Sequence, residues 1–87
     1  MFSVYVLRSL VTGRFYTGYT SDLSHRLAQH NHGITKSTKH DGPWGLVHQE
    51  QFATRSEAVR RERYLKTGKG REELMALVAK ATRRPAG

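Results

Sequence analysis

Eighty-seven residues with 15 Lys plus Arg against 7 Asp plus Glu carry a formal net charge of +8 and a pI near 10.5. That length holds one domain and no second core, and the charge favours a polyanionic partner, because cations set against phosphates release counterions. With no cysteine the chain has no disulfide framework, thiolate zinc site or cysteine nucleophile, and no apolar run reaches the roughly 20 residues of a membrane span.

Phe2 to Arg8 is rich in aromatic and β-branched residues and predicts a strand. Ser9 to Arg14, with Thr12-Gly13, predicts a hairpin turn, and Phe15 to Thr20 a returning strand, with Gly18 where a side chain is unwelcome. Ser21-Asp22 caps a helix running to about His32, with Leu23 and Leu27 inward and Gly33 ending it. Ile34 to Pro43 is polar and basic and is expected to form a mobile loop; Trp44 to Phe52 suits a third strand. Thr54-Arg55-Ser56-Glu57 has the capping-box spacing, so a helix is expected from Arg55 to about Thr67. Gly68 and Gly70 punctuate the chain before a short last helix, Arg71 to about Lys80, and residues 81–87 are expected to form a flexible basic tail. The order β-β-α-β-α-α implies an α+β domain over residues 1–80, a small three-stranded antiparallel sheet flanked by helices. Met1 to Leu10 lacks the basic and apolar regions of a signal peptide, so a cytoplasmic or nucleoid-associated setting is expected.

Glu62 is the sharpest chemical signal. Ala58, Val59 and Leu65, at helical spacing around it, define an apolar stripe, so the carboxylate points inward or lies at the stripe's edge. A carboxylate there needs a partner. A salt bridge to Arg26 or another cation satisfies it, as does a hard divalent metal ion such as magnesium or manganese. Arg26 and His30, four apart, share one helix face. A guanidinium grips phosphate with two donors and an imidazole relays a proton near neutral pH; the bland alternatives are a solvated basic face and a packing role. Tyr5 and Tyr16 fall on adjacent strands, where tyrosines most often build core, and a phenol titrating near ~10 becomes a base only with help from a nearby positive charge. His25, His30 and His32 do not share one face, and His40 and His48 receive no catalytic role. Arg55, Arg60, Arg61, Arg63, Lys66, Lys69 and Arg71 crowd the second helix and the turn after it, and Lys36 and Lys39 arm the loop. From these, Arg60, Arg63, Lys66, Lys69, Lys36 and Lys39 are the candidate nucleic-acid contacts, with a solvated face as the alternative.

Val4-Tyr5-Val6 and Tyr16-Thr17-Gly18, followed by Arg26, His30 and the helix Ser56 to Lys66 bearing Glu62, resemble in order the motifs of the GIY-YIG nuclease family. The resemblance covers about Phe2 to Leu74 and is to the compact stand-alone bacterial members and to the N-terminal domain of an excinuclease subunit. It implies an endonuclease that hydrolyses a DNA phosphodiester with one divalent metal ion, Mg2+ or Mn2+, leaving a 5′-phosphate and a 3′-hydroxyl. It also implies structured, damaged or foreign DNA as substrate and a role of the DNA-repair type. Glu62 would hold the metal, Tyr5 would deprotonate the water with His30 taking the proton, Arg26 would position the phosphate, and Tyr16 would hydrogen-bond phosphate or water. DNA is the expected partner, RNA the alternative; no membrane and no small-molecule cofactor are expected, and the chain acts as a monomer or weak homodimer. Both tripeptides depart from the name-giving residues, and the asparagine many members carry after the metal-binding helix is absent, since the only asparagine is Asn31 and Lys66 to Gly70 occupies that region. The alternative function is therefore a non-catalytic nucleic-acid-binding module with the same fold.

Overall fold

The computed structural model of the chain describes residues 1–33 and 40–82, so Lys36, Lys39 and most of the loop expected over 34–43 lie outside it. Three strands, β1 (Phe2–Ser9), β2 (Phe15–Thr20) and β3 (Trp44–Phe52), and three helices, α1 (Leu23–Asn31), α2 (Arg55–Leu65) and α3 (Gly68–Thr82), follow in the order β-β-α-β-α-α. The sheet is antiparallel, with β1 in the centre and β2 at one edge.

Alternation along β1 divides the interior. Val4 and Val6 face Ala58 and Leu65 of α2 and Leu74 and Val78 of α3. Tyr5 and Leu7 face the opposite way, into a cluster with Trp44, Tyr16 and the α1 leucines Leu23 and Leu27. A period of two thus gives the central strand two buried faces, with α1 on one side of the sheet and α2 and α3 on the other.

Local chemistry sets the junctions. In the β1–β2 turn the Ser9 hydroxyl accepts from the backbone N–H groups of Val11 and Thr12 and donates to the Asp41 carbonyl, while Gly13 takes a left-handed φ of 78°. Asp22 caps α1 by accepting from His25 N–H, and Thr54 with Glu57 closes a full capping box on α2. Asn31 acts as a tie between elements. Its side chain bonds both the N–H and the carbonyl of Trp44, joining the end of α1 to the start of β3.

The last helix departs from the sequence reading. It begins at Gly68, three residues before Arg71, and continues through Thr82, so residues 81 and 82 extend a helix where a tail was expected. The remainder of that tail, 83–87, lies outside the described residues. Thr67 supplies the start: its hydroxyl accepts from Gly70 N–H at 3.1 Å and its carbonyl from Arg71 N–H at 2.8 Å, as at a helix N-cap. Gly70 is not a helix breaker. A Cβ there would stand 1.8 Å from the Tyr64 carbonyl oxygen, so glycine lets the α3 backbone touch the end of α2.

Arg61 pins the α2 layer to its neighbours. It donates to both Glu50 oxygens on β3, at 2.8 and 3.0 Å, and pairs with Glu73 of α3. His48 completes the group with a contact of 2.7 Å to Glu50. Each member satisfies another, as partly buried charges require.

Candidate active site

The two strands meet at Tyr5, whose register partner on β2 is Gly18. A Cβ at Gly18 would lie 2.7 Å from the Tyr5 hydroxyl and 3.1 Å from the Tyr16 ring, so the missing side chain is the space that Tyr5 occupies. Tyr5 is only 1 % exposed, yet its hydroxyl lies beside an open cleft of about 460 Å³. Tyr5, Tyr16, Arg26 and Glu62 all line that cleft, brought there from β1, β2, α1 and α2.

The cleft straddles the sheet edge. Tyr16 and Tyr5 belong to the α1 side, whereas Phe2 and Tyr19, which also line it, pack on the α2 side. An edge strand is where side chains from both faces reach one opening, and this is how Glu62 joins residues across the sheet. Glu62 sits at the edge of the α2 stripe, as its spacing requires, with its side chain 15 % exposed and Oε2 3.5 Å from Lys66 Nζ. Of the salt-bridge partners open to it, Arg26 or another cation, the one that forms is Lys66, four residues on.

His30 does not line the cleft. It is buried behind the tyrosines, with Nε2 2.9 Å from the Tyr5 hydroxyl and its ring centroid 4.7 Å from that of Tyr16. Burial, with the Arg26 guanidinium adding to it, holds this imidazole below its ordinary range. Burial acts on Tyr5 in the opposite direction. Reinforced by Tyr16 and Glu62, it outweighs the attraction of Arg26 and raises the phenol above its ordinary value. The protein alone therefore keeps Tyr5 protonated, and its use as a base requires a route for the proton it already holds.

Glu62 is the single carboxylate lining the cleft, and among the described residues no cluster of three or more His, Cys, Asp or Glu could hold a metal. One carboxylate among hydroxyls suits a hard cation that keeps most of its ligands as water and substrate phosphate, which is how magnesium binds at phosphoryl sites. Of the histidines, His30 bonds Tyr5 and His48 bonds Glu50.

Of the candidate nucleic-acid contacts, Arg60 and Arg63 line an open groove with Arg55, Lys66 pairs with Glu62, and Lys69 is exposed in the first turn of α3. Tyr19 received no site role in the sequence, and Arg55 counted only among the basic residues crowding the second helix; both line the cleft, with Arg55 Nη2 3.1 Å from the Tyr19 hydroxyl. Their signal was the second tyrosine of Phe15 to Thr20 beside the first residue of α2, and it becomes visible only once the edge position of β2 is known.

Comparison with known proteins places this arrangement. A family model described as the GIY-YIG catalytic domain matches residues 1–74. The chain belongs to the GIY-YIG family, whose domains are of nuclease type. Its relatives include a UPF0213 protein of Staphylococcus saprophyticus, 48 % identical over 56 residues covering 63 % of this chain and 68 % of that one. A UPF0213 protein of Halobacterium salinarum is 45 % identical over 67 residues, covering 76 % of this chain and 86 % of that one. The solution NMR structure of the UPF0213 protein BH0048 from Bacillus halodurans is similar with a TM-score of 0.58 and 32 % identity, over 99 % of this chain and 98 % of that one.

Proposed function

We propose that the protein is a divalent-metal-dependent endonuclease that hydrolyses DNA phosphodiester bonds, leaving a 5′-phosphate and a 3′-hydroxyl. The observation that carries this reading is the convergence of two phenols, a guanidinium and one carboxylate on one cleft of a strongly basic domain. Glu62 holds the metal ion, Mg2+ or Mn2+, which when bound supplies Lewis-acid stabilisation of charge on the phosphate and the departing oxygen.

The remaining steps belong to side chains. Tyr5 donates its hydroxyl proton to His30 Nε2 and accepts one from the attacking water, so its oxygen never becomes a free phenolate in a buried site. The support for that concerted relay is the imidazole 2.9 Å from the hydroxyl, held below its ordinary range by burial. Arg26 lies against the phosphate and balances the charge that grows on its oxygens. Tyr16 is held at an angle to the His30 ring and donates to a phosphate oxygen or orients the water. The exposed Arg60, Arg63 and Lys69 track the nucleic-acid backbone without reading bases. DNA is the substrate class, with structured, damaged or foreign DNA in a cytoplasmic or nucleoid setting as the finer reading.

Labelled linear, nicked, flapped and four-way-junction DNA incubated with magnesium, manganese or EDTA tests this directly. Cutting with either metal and none in EDTA is the expected result. Tight, salt-dependent binding with no cutting under any condition would replace it with the binding-module reading.

A further inference from the structure

The Arg55 side chain has no adequate structural reason to be where it is. It occupies the first position of α2, where the helix dipole makes a cation unfavourable. It is exposed, and its partner is a neutral phenol: Nε and Nη2 lie 3.3 and 3.1 Å from the Tyr19 hydroxyl, with the guanidinium 5.7 Å from the Tyr19 ring centre. An exposed contact of this kind does little more than offset the dipole. What the contact does achieve is immobilisation. Two hydrogen bonds and a ring fix a long side chain whose conformational entropy is then not lost again on binding.

Its position gives that rigidity a use. Arg55 lines the catalytic cleft with Arg26 and Glu62, and it also lines the groove formed with Arg60 and Arg63. Among the described residues no other is shared by those two surfaces. Tyr19 and Arg55 stand on the α2 side of the β2 edge, whereas Arg26 comes from α1 on the other side of the sheet.

We infer that Arg55, held by Tyr19, is a second phosphate-binding residue of the cleft: it grips a non-bridging phosphate adjacent to the scissile one and directs the strand toward Arg60 and Arg63. This rests on the nuclease reading for the word scissile, but the phosphate contact itself does not depend on cutting. The strand therefore leaves the cleft over the start of α2, and the guanidinium fork, not charge alone, sets its register.

Binding measured in EDTA separates the contact from catalysis. Fluorescence anisotropy with labelled DNA is expected to show about tenfold weaker binding for Arg55→Ala. The slope of log affinity against log salt should fall by roughly one phosphate contact, about 0.9 for duplex. Arg55→Lys should restore the slope but not the full affinity. A methylphosphonate scan locates the contact: neutralising one phosphate should weaken wild type, while Arg55→Ala is indifferent at that position and responds like wild type elsewhere. Thermal midpoints of the variants should stay within a few degrees of wild type, since the pair contributes little to the fold. Arg55→Ala binding within twofold of wild type with an unchanged slope, or remaining sensitive at every scanned phosphate, would overturn the assignment. Loss of metal-dependent cutting with this EDTA pattern intact would sink the nuclease reading alone.

Discussion

At the scale of single residues, the site depends on atoms that are absent as much as on those present. Gly18 leaves the gap into which the Tyr5 hydroxyl projects, and a methyl group there meets Tyr5 Oη at 2.7 Å and Cζ at 2.9 Å. Gly18→Ala should cost on the order of 1–3 kcal/mol through overpacking. It should also lower cleavage by about a hundredfold, since displacing a catalytic oxygen by an ångström has that effect. Denaturant unfolding and single-turnover cleavage check the two effects; full activity in a folded Gly18→Ala would show that the Tyr5 position is not critical. The convergence of Tyr5, Tyr16, Arg26 and Glu62 on one cleft was legible in the sequence because each belongs to a motif or a helical stripe that constrains where it points. His30 was legible as a partner on the Arg26 face, but not as the buried hydrogen-bond partner behind Tyr5, because burial depends on which sheet face α1 covers. Tyr19 and Arg55 were missed for a related reason: they come from elements that read independently and meet only at the edge of β2.

At the scale of elements, caps and turns were read with near-residue accuracy where a side chain announces them, as Asp22 and the Thr54–Glu57 box do. The start of α3 was misread because glycine has two opposite meanings. Gly68 has nothing within 4 Å of where a Cβ would stand and a φ in the ordinary range, while Gly70 abuts the Tyr64 carbonyl. The two should therefore respond with opposite signs. Gly68→Ala is expected to stabilise by up to about 1 kcal/mol through helix propensity and a less flexible unfolded chain. Gly70→Ala should destabilise by several kcal/mol, roughly the upper end of overpacking costs, because the obstacle is backbone and not a movable side chain. Urea midpoints for both decide the matter, and equal effects would show that α3 does not approach α2 so closely.

Across the whole molecule, one ion group connects layers that the hydrophobic pattern only stacks. Hydrogen bonds from Arg61 first, and His48 after it, hold Glu50 below the usual carboxylate range despite burial. A carboxyl whose folded pKa is depressed contributes stability that is complete above its unfolded value, near 4.5, and is lost as pH falls through the folded value. Thermal midpoints should accordingly drop from about pH 5 downward, and Glu50→Gln should flatten that decline while lowering the midpoint at neutral pH. A parallel decline in the variant would remove Glu50 from this role. The fold class itself was readable because period-two strands and capped amphipathic helices alternate without ambiguity. The sheet order β2-β1-β3 was not, and it is that order which exposes β2 and opens the cleft. Among the described residues Glu62 is the single carboxylate lining that cleft. Single-turnover cleavage of labelled DNA by wild type and Glu62→Ala in magnesium, with binding followed under the same conditions, is the most direct measurement. The account predicts cutting by wild type, none detectable by Glu62→Ala, and binding that is little changed. Equal cutting by both proteins would contradict it.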